Sequence, residues 1–206
     1  LLQETREGER AVVQYDSNNG AEIGRKIFDA ETGDLLATSS VTKVDPDLTV
    51  HVLTKGATVK DPWASLDLYN VQGQLLAHIP GRLGANDSIQ ARFITLFLYS
   101  DTISQVPARM VTLPYALVAD YGHSIAELRA AQDPVALLQE IAQKEPALLV
   151  SLATFLTQGV LVPGTDRTRY TWQQTNLLTK AESVEVRTRT GDLVQLVSAP
   201  RTAAYV

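Results

Sequence analysis

The chain contains no cysteine among its 206 residues. That excludes disulfides, zinc–thiolate sites, iron–sulfur clusters and thiol nucleophiles outright. Histidine is scarce too, with three residues. His51 and His78 fall in extended stretches without ligand spacing, so the sequence offers no metal site and calls for no cofactor. Lysine is rare beside threonine and valine, a bias that favours sheet over helix. No glycine-rich dinucleotide fingerprint, P-loop, H-E-x-x-H or EF-hand pattern occurs.

Charge of one sign is thin in the second half. Residues 1–162 carry 12 Lys and Arg against 19 Asp and Glu, a balance of −7, whereas 163–206 carry 6 against 4, a balance of +2. The basic residues there (Arg167, Arg169, Arg187, Arg189, Arg201) are spaced along turns and strands without an aromatic platform. The pattern is that of solvated strand positions and speaks against nucleic acid. A weakly basic end also suits contact with the acidic part of a neighbouring copy.

What is present, three times, is a hairpin phrase. Phe28–Thr38, Tyr69–Ile79 and Val186–Val197 each run as strand, tight turn closed at a glycine (Gly33, Gly73, Gly191), then a polar residue and two aliphatics. Glycine supplies the positive φ such a turn requires. The 40-residue spacing of Gly33 and Gly73 suggests a propeller repeat, but position 113 is Leu before Pro114 and 153 is Ala, so the period fails. Further strands are expected at Ala11–Tyr15, Leu48–Thr54, Ser88–Ser100 and Met110–Val118. The Ser88–Ser100 strand is apolar on both sides and is expected in the middle of a sheet. Turns are expected at Asp16–Gly20, Asp45–Asp47, Lys60–Pro62 and Pro80–Asp87. Residues 169–179 carry no clear pattern.

A helical insert is expected over about 124–158. Ser124-Ile-Ala-Glu127 is a capping-box pattern, and Asp133-Pro134 and Glu145-Pro146 each start a further helix, giving 124–132, 134–144 and 146–158, the last stopped at Gly159. The run from Pro146 to Thr165 is uncharged, yet Ser151, Thr154, Thr157, Gln158 and the breakers Gly159, Pro163 and Gly164 argue against a membrane span. Its apolar residues Leu148, Leu149, Leu152, Phe155 and Leu156 belong either to the core or to a contact between subunits.

These observations describe one domain over 1–206: α+β and β-rich, antiparallel hairpins in a sandwich or open barrel, with a polar N-terminal arm at about 1–10 (loose or a short helix), the insert, and a closing hairpin at 183–198. The leading functional reading is a non-enzymatic structural subunit that associates with copies of itself or with other structural subunits in a larger particle of capsid, tail or filament type. That reading leans to a virion or extracellular location. The alternative is a small-ligand-binding β-domain whose pocket wall carries Trp63, Tyr69, Phe93 or Phe97. A third reading is a hydrolase-like site with His123 as base, Asp120 orienting it and Ser124 as nucleophile; the N-cap role of Ser124 competes with it.

Overall fold

The computed structural model describes residues 2–6, 8–46, 49–57, 63–163 and 169–201. The expected turn at Lys60–Pro62, the start of the strand at Leu48, and Arg167 lie outside them. The chain divides into two compact units. The first takes residues up to Val71 together with Ile79–Ala91, and the second takes Gln72–His78 and everything from Arg92 onward.

The first unit is an antiparallel meander: β1 (Leu2–Arg6), β2 (Glu9–Tyr15), β3 (Glu22–Asp29), β4 (Leu35–Val44), β5 (Val50–Gly56) and β6 (Trp63–Tyr69), each hydrogen-bonded to the next in chain order. The N-terminal residues therefore form a strand, not a loose arm or a helix. Pairing Leu2 with Val13 through Arg6 with Glu9 gives their backbone groups partners that a free arm would have to find in water. β7 (Leu75–Leu83) crosses from the second unit into the first, where it pairs with β8 (Ile89–Ala91). The core here is thin, with Val13, Ala37, Leu53, Ala64, Leu68 and Ile79 buried.

The second unit carries the ladder β7, β9 (Phe93–Leu98), β10 (Arg109–Pro114), β11 (Thr157–Leu161), β12 (Arg169–Asn176), β13 (Glu182–Thr188), β14 (Leu193–Arg201), again antiparallel throughout. Its end strands do not pair with each other, so the sheet stays open and does not close into a barrel. Ile94 to Phe97 are all buried, as a strand covered on both faces requires. The long strand expected from Ser88 to Ser100 is broken at Arg92 into β8 and β9.

Between β10 and β11 lie the short helices α1 (Ala116–Ala119), α2 (Ile125–Ala130), α3 (Pro134–Lys144) and α4 (Pro146–Leu152). Both capping-box bonds form: Glu127 N–H donates to Ser124 Oγ at 3.2 Å and Ser124 N–H to Glu127 Oε2 at 2.8 Å. Asp133 caps α3 by accepting from Val135 N–H at 2.9 Å, with Pro134 in the first turn. α4 ends at Leu152, short of the expected 158, because the chain resumes as β11. Gly159 is therefore a strand residue. It pairs with Gln174, whose side chain lies 2.7 Å from where a Cβ would stand, and that close packing is what a glycine there allows. Among the described residues no helix is long and apolar enough to cross a membrane.

Three of the hairpin turns share one chemistry. In the turn after β3, Asp29 Oδ1 accepts from Glu31 and Thr32 N–H, Thr32 Oγ1 accepts from Asp34 N–H, and Gly33 sits at φ 78°. After β12 the same pattern recurs with Asn176, Leu178, Thr179 and Ala181, but Lys180 takes the left-handed position at φ 60°. Asp16, Asn18, Asn19 and Gly20 repeat it after β2. A side-chain oxygen at the first position imitates a backbone turn, and a left-handed residue four positions on returns the chain. Residues 169–179, which carry no clear pattern in the sequence, are β12 and the first part of this turn.

Candidate functional site

The three residues of the hydrolase reading do not assemble. His123 Nε2 lies 3.0 Å from Glu140 Oε2 on α3, not against Asp120. Ser124 Oγ is engaged in the capping box of α2, where its task is to accept an amide proton. The second member, Glu127, has its pKa lowered by the Ser124 amide and hydroxyl, as a carboxylate in a capping box should.

The five apolar residues of the 146–158 run divide. Leu149, Leu152 and Leu156 are buried within the second unit, and Leu148 is half-buried. Phe155 is exposed along one edge and stacks on Phe93, with ring centroids 5.2 Å apart and planes 9° from parallel. The four pocket candidates also separate. Trp63 and Tyr69 belong to the first unit, where the Trp63 ring covers Gly56 in the space a Cβ would fill. Phe93 and Phe97 belong to the second, Phe97 fully buried and Phe93 tied to Phe155.

Three features of the described residues have the geometry to act on something else. The first is a cleft of about 310 Å³ in the second unit, between the start of α3 (Asp133, Pro134, Val135) and Gln158, Thr175 and Lys180. Its volume is at the low end for a small-molecule site and its lining is mixed.

The second is β14. Leu193, Val194, Leu196 and Val197 are 54, 43, 50 and 54 % exposed, so both faces of this terminal strand present aliphatic side chains. Its pairing with β13 slips repeatedly, as the register passes from Arg187–Leu193 to Val186–Gln195 and from Glu185–Leu196 to Val184–Ser198. Bulges of this kind twist an edge and interrupt its ladder.

The third feature joins residues far apart in sequence. Tyr99, just past β9, donates its hydroxyl to Leu75 O at 3.1 Å. Arg129, in the last turn of α2, donates Nε and Nη2 to Phe97 O at 3.3 and 3.2 Å. Arg189, in the β13–β14 turn, donates Nη2 to Gly73 O at 3.1 Å. Burial raises the Tyr99 pKa, while the charges of Arg189 and Arg129 work against that rise, so both guanidinium groups reach the phenol electrostatically. Burial also lowers the pKa of Arg129. Buried Tyr170 completes the surroundings, edge-on to Trp172 at 6.1 Å between centroids.

In the first unit, Asp45 closes the β4–β5 connection by binding Lys43 and His51, the latter at 2.6 Å. These hydrogen bonds, Lys43 first, lower its pKa. Among the described residues no group of three or more His, Asp or Glu could hold a metal ion.

Fold and site together define an open, antiparallel β protein with a small helical insert. No protein-family model, no curated protein and no solved structure matches the chain.

Proposed function

We propose that this chain is a structural subunit that associates with copies of itself through β14, as part of a larger particle. The observation that carries the reading is the run Leu193-Val-Gln-Leu-Val197, whose four aliphatics are all about half exposed on an edge strand. A second copy is the occupant that fits because the run is self-complementary. A two-fold axis through Gln195 in antiparallel pairing sets Leu193 against Val197, Val194 against Leu196, and Gln195 against its equivalent.

The magnitude is modest. Full burial of such a side chain contributes about 1.5–3 kcal/mol, so eight half-exposed ones give roughly 6–12 kcal/mol. Association itself costs about 4–15 kcal/mol, so one such contact is weak and reversible, and a stable particle needs several acting together. Solution mass by light scattering across a dilution series tests this. Mass rising with concentration toward a discrete species supports self-association. A 22.4 kDa species at every concentration up to the solubility limit removes it. The cleft beside Asp133 and Lys180 favours a second reading, a small polar ligand, which predicts saturable binding without any change of mass.

A further inference from the structure

We infer that Arg129 and Arg189, beside Tyr99, form a binding subsite for a phosphate group. The side chains come from α2, the β13–β14 turn and the end of β9, and all three are fixed by bonds to backbone carbonyls of the β7–β9 end of the sheet. Register places those carbonyls close together, since Ala77 pairs with Leu96, and Gly73 and Leu75 precede Ala77 where Phe97 and Tyr99 follow Leu96.

Neither guanidinium has a carboxylate partner among the described residues. Other cations near carboxylates are neutralised: Arg187 by Glu185, Arg25 by Glu22, Lys55 by Asp87. Arg129 commits Nε and Nη2 to a carbonyl and keeps Nη1; Arg189 commits Nη2 and keeps Nε and Nη1. Two half-used guanidinium forks supply donors for several oxygens of one anion, the Tyr99 proton being committed to Leu75 O, and arginine's planar fork matches phosphate geometry. Desolvating an arginine without giving it a counter-charge is unfavourable, and an arriving dianion relieves that.

The surroundings are built to hold this geometry. Buried Gln74 donates to Asp101 O and Ser104 O at 3.0 and 2.6 Å, pinning the 101–104 loop to the start of β7. Asp101, the carboxylate on that loop, is turned inward to accept from Ile103 and Ser104 N–H at 2.9 and 2.6 Å. Gly191, in the same turn as Arg189, packs on the sheet where an added Cβ would meet Met110, Thr95 and Phe97 at 3.3–3.6 Å. That fixes the turn that presents Arg189.

The test is calorimetric titration of the full chain with inorganic phosphate at constant ionic strength, with chloride as control, repeated with phenyl phosphate. Saturable uptake of phosphate in the millimolar range is expected, weakened about tenfold by Arg189→Gln, the loss of one charge-assisted contact. Arg189 is exposed, so this variant keeps its fold. Arg129→Lys retains the charge but loses the fork, and a drop of similar size is expected there. Equal uptake of the two probes identifies free phosphate as sufficient; tighter phenyl phosphate identifies a phosphomonoester of a larger molecule. No saturable uptake below about 20 mM phosphate, or uptake unchanged in Arg189→Gln, overturns the assignment. The readout does not depend on whether the chain self-associates.

Discussion

Replacing Lys180 by glycine is expected to stabilise the protein although it removes a side chain. Lys180 holds φ 60° in the β12–β13 turn, where the homologous position of the β3–β4 turn is Gly33 at φ 78°. The left-handed conformation costs an L-residue roughly 1–2 kcal/mol, which glycine escapes. Glycine also loosens the unfolded chain, which takes back about 0.4–1 kcal/mol. The net gain is about 0.5–1 kcal/mol, or roughly 2 °C in Tm for a chain of this length. Gly33→Lys is the reciprocal experiment. Nothing lies within 4 Å of the Cβ that would be added, so the loss, again about 1 kcal/mol, is backbone strain without a clash. Urea unfolding of both variants at pH 7 reads the effect as a shift of midpoint at constant slope. If Lys180→Gly lowers the midpoint, the turn argument is wrong and the lysine side chain, which lines the cleft with Asp133, is stabilising in its own right.

Leu196→Lys puts a charge at the centre of the exposed β14 run. The variant is expected to stay monomeric at concentrations where the parent gains mass in light scattering, with its thermal midpoint unchanged because Leu196 is half exposed. Ser124→Ala should lower stability by about 1 kcal/mol in urea unfolding, and Ser124→Asp should restore it, since an N-cap needs only an acceptor oxygen; a variant with unaltered stability would remove the cap from the argument. Acid should weaken the fold. Hydrogen bonds hold Asp29, Asp45 and Asp101 below their ordinary 3.8, the first and third through backbone amides of their own turns and the second through Lys43 and His51. A depressed folded pKa contributes stability above the unfolded value, which drains away as pH falls from about 4 through the folded one. The urea midpoint should therefore fall between pH 5 and pH 3, less so in Asp29→Asn, which keeps the acceptor oxygen without the titration. A rising midpoint over that interval would contradict the sign.

What the sequence reveals about this fold is what short-range chemistry controls. The glycine hairpins are legible because Gly33, Gly73 and Gly191 occupy positive φ, at 78°, 75° and 90°. The helix starts at Ser124 and Asp133 are legible because each cap lies within three residues of what it caps, and the start at Pro146 because proline suits the first helical position. The β12–β13 hairpin escapes a search keyed to glycine, yet its Asn176 and Thr179 carry the same oxygen acceptors as Asp29 and Thr32. Reading turns by acceptor spacing would have found it, since the left-handed residue is the consequence and the side-chain oxygen the local cause. Gly159 errs in the opposite direction: after an apolar helical run it reads as a helix stop, whereas its smallness serves a strand partner, Gln174, 15 positions on. The exposure of β14 is hidden for a related reason, because alternating Leu and Val describe a strand's two faces without saying whether anything covers them. The Arg129–Tyr99–Arg189 cluster lies furthest from sequence reasoning. Its members meet only because α2 and the β13–β14 turn both return to the β7–β9 end of the sheet, a consequence of strand order that no local spacing encodes. Local rules thus fix the elements and their caps, while the groups left free to meet a partner are decided by which ends the ladder brings together, and those are the places where function has to be sought.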